Sequence, residues 1–344
     1  MAVLDTVGMF DLAEALPEQV ADAVIRTRLL GSVADPATIE SVVVLGMGGS
    51  GVAGDVLQAI ATPLLPVPVV TVKSYELPAF VGEGSLVFAI SASGNTEETI
   101  QSASDAALAG AKMVVITGGG ELAHLAESWA APVVAVPPGI PQPRAAIGSM
   151  AFPPLVVLES MGLLLTSDYW LDAAVDQLAR RRDAFVVAGD TSPAAEVARR
   201  IGRTLPLISG SEGVGSVAAM RWKTQINENA KAPAFWSSQP ELCHNEVCGW
   251  GQHGDVTRQV LSGVALRHDN EHPQVGRRFD LIAEIEREVL ADVIEVRAEG
   301  DGDLAQLFDL ILFGDYTSLW MAAQAGVDPG PVPALVELKA QLGA

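Results

Sequence analysis

The sequence predicts an α/β protein of two lobes, each a mostly parallel sheet with helices on both faces. Short continuous apolar runs alternate with helix-patterned segments, as parallel strands buried on both faces require. The order apolar run, glycine turn, helix then starts again beyond the middle of the chain, repeated in pattern rather than in letters. The length, 344 residues, suits two domains at the usual ~100–200 residues each.

Residues 10–30 carry apolar positions at helical spacing and predict an entry helix. Ser41–Val44 (SVVV) predicts a buried strand that runs into Gly46-Met47-Gly48-Gly49-Ser50-Gly51, with a helix over 50–61. Val67–Val72 and Ser85–Ser91 predict the second and third strands. Residues 96–111 predict a helix with Asn95 as N-cap and Glu98 three positions on. Lys112–Thr117 is the fourth expected strand, a short helix follows near 121–129, and Pro132–Val136 is the fifth strand. A Pro-rich loop over 138–144 leads to an apolar helix at about 148–164.

Residues 166–200 are helical in pattern and more polar. Their Arg180-Arg181-Arg182 run reads as a solvated helix face. This stretch is the expected connector between a first lobe, 1–165, and a second, 201–344. In the second lobe Leu205–Ser209 predicts a strand, GSEGVGS (210–216) a glycine turn, and 214–230 a helix. A strand over 259–267, a helix over 274–289, a strand over 292–297, a long helix over 303–326 and a terminal helix over 333–342 complete it.

Composition removes whole classes of function. With 21 Lys and Arg against 42 Asp and Glu, the formal net charge is −21. Such a surface has no means to release counterions from a polyanion, which excludes a general nucleic-acid or anionic-membrane binder. The chain is 49% hydrophobic, and its 18% charged residues fall below the typical ~25%, so it is not an acidic disordered tail. No apolar stretch reaches the ~20 residues of a membrane helix. The N-terminus lacks the basic start of a secretory signal, and two cysteines give no disulfide framework. The expectation is a cytoplasmic protein that contacts neither membrane nor nucleic acid.

Two turns carry the chemistry. Gly46–Gly51 fits GxGxxG after a strand and before a helix, where backbone N–H groups can approach a phosphate. A dinucleotide would also need an acidic residue at the end of the next strand. That strand ends at Val72-Lys73-Ser74, with Glu76 beyond it. The second turn, Ser91-Ala92-Ser93-Gly94-Asn95-Thr96, again precedes a helix and offers three hydroxyls. It reads as a phosphate cradle that needs neither metal nor lysine. No GK[ST] follows either turn, which disfavours nucleotide triphosphate hydrolysis.

These turns, GMGGSG and SASGNTEET, resemble those of sugar isomerase (SIS) domains, flavodoxin-like folds that bind phosphorylated monosaccharides. The second half adds RWKTQINENAKAPAF, PELCHNEVCGW and FGDYTSLWMAAQAGVDPGPVPALVELKAQL. With Pro143-Arg144, the chain resembles the bifunctional phosphoglucose/phosphomannose isomerases over nearly its whole length. The resemblance implies interconversion of glucose 6-phosphate or mannose 6-phosphate with fructose 6-phosphate, by a homodimer without metal or other cofactor. It further implies that Gly48, Gly49, Ser50, Ser91, Ser93 and Thr96 hold the phosphate or sugar. Glu228 would be the base, His244 and Lys339 would serve ring opening, and Arg144 would stabilise the intermediate. His244 would complete the partner subunit's site. One departure stands out: Gly330-Pro331-Val332-Pro333 has no threonine where the family carries a small residue held to admit both C2 epimers.

The residues suit that chemistry on their own terms. Aldose–ketose isomerisation needs a base between C1 and C2, a positive group near the enediolate, and an acid–base pair for ring opening. Glu228 lies near the C-terminal end of its predicted helix, where the macrodipole disfavours a carboxylate. The plain alternative is an i,i+3 pair with Lys231. Arg144 is one of five basic residues in the first 160, with Arg26, Arg28, Lys73 and Lys112. Cys243, His244, Cys248 and His253 lack the spacing of a zinc site. A non-catalytic sugar-phosphate-binding regulator and a nucleotide-dependent Rossmann enzyme remain as alternatives.

Overall fold

The computed structural model describes residues 3–167 and 169–342, so Asp168, inside the expected connector, lies outside the description. The chain divides into two compact units that are each discontinuous in sequence. One joins Ala15 through residue 167 to the stretch from Val336 onward; the other joins the residues up to Glu14 to Tyr169–Leu335. The expected entry helix is accordingly two helices, α1 (Met9–Glu14) and α2 (Leu16–Arg28). The break falls at Ala15, just before Pro17 in the first turn of α2, a position that a proline tolerates.

The first unit holds a five-stranded sheet of order β2-β1-β3-β4-β5. Its strands are β1 (Ser41–Leu45), β2 (Val69–Val72), β3 (Ser85–Ser91), β4 (Lys112–Thr117) and β5 (Val133–Ala135). Every ladder is parallel, with β3 central and Val42–Leu45 and Leu86–Ile90 fully buried. Its connecting helices are α3 (Gly48–Ala61), α4 (Glu97–Leu108), α5 (Gly120–Ser128) and α6 (Ile147–Ser160). Gln19 stitches α2 to the start of α6: its amide donates to the Ala145 carbonyl at 2.9 Å and accepts from the Ser149 N–H at 3.0 Å. Gly148 permits that approach, because a Cβ there would meet Val20 at 2.9 Å.

The second unit contains α7 (Trp170–Ala188), α8 (Pro193–Ile201), α9 (Val214–Gln225), α10 (Gly254–Val260), α11 (Pro273–Val289) and α12 (Asp303–Ala325). Its sheet runs β7-β6-β8-β9, from β6 (Leu205–Ser211), β7 (Phe235–Gln239), β8 (Leu261–Arg267) and β9 (Asp292–Arg297), again all parallel. β7 and α10 have no counterpart in the sequence reading. β7 is an edge strand whose FWSSQ is exposed at its start and buried only at Gln239, so it lacks the apolar run of a covered strand.

The arginine triplet is not a uniform solvated face, which corrects that expectation. Arg181 is 8% exposed and forms a bidentate pair with Asp309, itself 0% exposed, with both contacts at 2.7 Å. Its guanidinium also lies over the Phe185 and Phe313 rings, at 5.4 and 5.6 Å. Consecutive helix residues point about 100° apart, so one of three neighbours can face inward. That inward pair makes α7 part of the second unit's core rather than a separate connector. The last helix, α13 (Pro333–Leu342), has no buried residue. Among the described residues no helix is long and apolar enough to cross a membrane.

Candidate active site

In the first sheet the strand order reverses between β1 and β3, and in open α/β sheets ligands bind at the carboxyl ends of the strands beside such a point. Both candidate turns leave the sheet there. The first opens α3, with Gly48 at φ +51. Gly49 brings the backbone against the turn that carries Arg144, since a Cβ on Gly49 would lie 3.1 Å from Arg144 Cα. Arg144 is 2% exposed, and its Nη1 donates to Gln142 Oε1 at 2.9 Å. Ser50 is buried and links the two turns: its Oγ accepts from the Ala92 N–H at 3.4 Å and donates to Met150 Sδ at 3.3 Å.

The second turn is held by its own hydroxyls. Ser91 Oγ accepts the Gly94 N–H at 3.1 Å and shares a hydrogen bond with Thr96 Oγ1 at 2.9 Å. Gly94 sits at φ +71, and a Cβ there would fall 1.7 Å from the Gly119 carbonyl oxygen, so only glycine fits. Asn95 is not the cap of α4, as the sequence had suggested. Its Oδ1 accepts the Glu121 N–H at 3.0 Å at the start of α5, and Thr96 takes the N-cap position. Thr96 makes no side-chain bond to the first N–H groups of α4, so this helix end can donate to a ligand oxygen. Ser93 is exposed and accepts the Asn95 N–H at 3.2 Å.

The place where a dinucleotide would want a carboxylate holds Lys73, ion-paired with Asp55 of α3, while Glu76 is exposed. Burial pushes the Asp55 carboxyl up, against the lowering effect of Lys73. This arrangement disfavours the Rossmann alternative.

Glu228 and His244 belong to the second unit. The helix expected over 214–230 ends at Gln225 and continues as a π-helical turn, Ile226–Ala230, with Glu228 at its centre and half-buried. Such turns are frequent at functional sites, because they widen the helix and re-aim a side chain. The flanking asparagines fix this one. Asn227 Nδ2 donates to the Ala232 carbonyl at 2.9 Å, and Asn229 Nδ2 donates to Ser318 Oγ at 2.9 Å. Lys231 adopts a left-handed backbone at φ +54, and its Nζ donates to the carbonyls of Glu228 at 2.7 Å and Pro329 at 3.0 Å. Behind the turn, the buried Arg221–Asp315 pair and the bond from Trp222 Nε1 to the Leu310 carbonyl, 2.7 Å, lock α9 onto α12.

His244 ends a short 3-10 turn, Glu241–His244, and is exposed. The next turn starts where Asn245 Oδ1 accepts the Glu246 N–H at 2.6 Å. Burial pushes the Glu246 carboxyl up, while the Ser237 hydroxyl at 3.5 Å works against this. Lys339 lies exposed on α13. The structure therefore collects Gly48, Gly49, Ser50, Ser91, Ser93, Thr96 and Arg144 around one sheet edge. Lys339 is in that same unit, and Glu228 and His244 are in the other. The asparagine braces and the Lys231 carbonyl cap went unread in the sequence. Nothing in NENAK signals a π turn, although Pro233 does signal that the helix stops.

Comparison with known proteins follows the same division. Residues 37–129 match the SIS domain family, and residues 190–342 match the bacterial phospho-glucose isomerase C-terminal SIS domain. The chain is 34% identical to a bifunctional phosphoglucose/phosphomannose isomerase of Caldicellulosiruptor bescii, over 97% of this chain and 98% of the relative. It is 32% identical to one of Aquifex aeolicus, over 90% and 92%. Among solved structures, tagatose-6-phosphate ketose/aldose isomerase from Escherichia coli shares the fold, with TM-score 0.69 at 16% identity over 94% of this chain and 95% of that one.

Proposed function

Because the chain belongs to the bifunctional phosphoglucose/phosphomannose isomerases, we propose that it interconverts glucose 6-phosphate, mannose 6-phosphate or both with fructose 6-phosphate through a cis-enediolate. The observation that carries this reading is the pair of turns at the switch point of the first sheet. They combine hydroxyls, a helix N-terminus and no nucleotide-binding acid, which suits a small phosphomonoester. The relatives are named as enzymes, which favours turnover over the non-catalytic alternative.

In the proposed reaction the phosphate is held by Ser50, Ser91, Ser93, Thr96 and the backbone at Gly48 and Gly49. Glu228 takes the proton from C2 of the open-chain aldose and returns it to C1. Its placement on a braced turn supports this role, since a general base must be held within hydrogen-bond reach of its proton. Arg144 faces the charge that grows on the C1 and C2 oxygens. Lys339 and the partner subunit's His244 assist ring opening, in a homodimer. None of these steps uses a metal ion or another cofactor.

The test is a coupled assay on glucose 6-phosphate and mannose 6-phosphate in EDTA, with wild type and Glu228→Gln. Turnover of at least one epimer is expected, with a loss of about 10²–10⁴-fold in the variant. A wild type inactive on both, or a variant with full activity, would refute the proposal.

A further inference from the structure

The turn that carries Glu228 ends at a residue whose backbone conformation favours glycine. Lys231 caps it in the left-handed region, at φ +54 and ψ 30. Glycine takes that conformation without strain, because it has no Cβ. Elsewhere the chain uses glycine for it: α4, α6 and α12 are followed by Gly110, Gly162 and Gly326 at φ +82, +74 and +66. Among the described residues, Lys231 and Ala130 are the two non-glycine residues with positive φ. A residue in such a conformation persists where its surroundings hold it, and these residues cluster at functional sites.

The ammonium gives the reason for a lysine here. Lys231 is exposed, yet its Nζ donates to three carbonyls: Glu228 at 2.7 Å, Pro329 at 3.0 Å and Asn229 at 3.4 Å. Two of these are among the last carbonyls of the π turn, at a helix end that lacks its own N–H donors and that a cation complements. The third belongs to the segment beyond α12, 98 residues on. That segment is itself pinned. Asp328 Oδ2 accepts from Thr6 Oγ1 at 2.5 Å, and its Oδ1 accepts the Gly330 N–H at 3.1 Å. A Cβ on Gly330 would lie 2.2 Å from Val7 Cγ2, so the backbone there lies directly on Val7. A glycine at 231 could supply the backbone turn but not this bridge.

We propose that Lys231 is a positioning residue for the base: its ammonium bridges the Glu228 and Pro329 carbonyls and so fixes where the Glu228 carboxylate meets the substrate proton. The proposal rests on the isomerase reading with Glu228 as base. A displacement of about 1 Å near a reacting centre can cost ~10²-fold in rate. The phosphate turns belong to the other unit, so substrate binding should be spared.

Steady-state kinetics of wild type, Lys231→Gly and Lys231→Met test it, on substrate unlabelled and deuterated at C2, beside thermal melting of each protein. Both variants should lose about 10–100-fold in kcat while KM stays within about two-fold. The primary isotope effect on kcat should rise, because a misplaced base slows proton transfer relative to ring opening and product release. Lys231→Gly should melt above Lys231→Met, since both lose the bridge and only glycine relieves the cap. The loss of kcat should nevertheless be alike in the two, following the ammonium rather than the stability. Full kcat in either variant, or a kcat that follows the melting temperature with the isotope effect unchanged, overturns the proposal and leaves the isomerase reading standing. A wild type inactive on both epimers overturns the isomerase reading and this proposal with it.

Discussion

Glu286 on α11 offers a test of how the second unit is packed. It is 6% exposed, and it presses on β8 where Gly263 makes room, since a Cβ on Gly263 would lie 2.8 Å from Glu286 Oε2. Burial, assisted by the Glu246 carboxylate and opposed by Arg287, pushes its carboxyl from 4.5 up to about 7. Glu286, Arg287 and Glu295 of β9 together line a small cavity between α11 and the sheet. The native state then holds a proton that the unfolded chain has already released. The stabilisation is fully present below pH about 4.5 and is lost as pH rises through about 7. At about 1.36 kcal/mol per pKa unit the difference is on the order of 3 kcal/mol. Glu286→Gln removes the titration. Wild type and variant should therefore match near pH 4.5, diverge in the variant's favour up to pH about 7, and keep a constant gap above it. Urea unfolding followed by tryptophan fluorescence measures this, because Trp170, Trp222, Trp236, Trp250 and Trp320 lie in this unit and only Trp129 in the other. A gap that does not change with pH would refute the reasoning.

Other substitutions probe the remaining supports. Gly94→Ala must place a methyl group where the Gly119 carbonyl stands, 1.7 Å away, at φ +71. It should cost about 1–3 kcal/mol and raise KM for hexose 6-phosphate; unchanged thermal stability and KM would show that the second turn is not so constrained. Asp309→Ala leaves Arg181 charged and buried, and removes acceptors used by Gln177 at 2.7 Å and the Glu299 N–H at 2.8 Å. A loss of about 3–5 kcal/mol is expected, and a shift in the urea midpoint worth under about 1 kcal/mol would contradict it. Glu228→Gln should lower kcat while circular dichroism and the melting temperature stay at wild-type values, which separates loss of the base from loss of the turn.

The sequence was most legible where physics is local. The apolar runs at 41–45, 85–91 and 112–117 are strands because a doubly covered sheet needs them apolar on both faces. The turns at 46–51 and 91–96 were legible as glycine- and hydroxyl-rich strand-to-helix turns because their geometry is set by adjacent backbone. Legibility failed where long-range packing decides. Arg181 looks like its neighbours in sequence, yet it is the one that meets Asp309, 128 residues away. β7 lacks a strand's apolar run because its side chains are exposed at its start and buried only at Gln239, and Asn95 caps a helix 26 residues on rather than its own.

The sequence by itself determined the α/β class, the repeated lobe pattern and the glycine- and hydroxyl-rich turns that follow the strands. These follow from hydrophobic period, turn stereochemistry and side-chain type, all properties of short segments. Only the tertiary structure decided that the units are discontinuous, that Glu228 rides a braced π turn, and that Arg181 is the inward arginine of its triplet. Each of these depends on which distant groups compete for a hydrogen bond or a buried position.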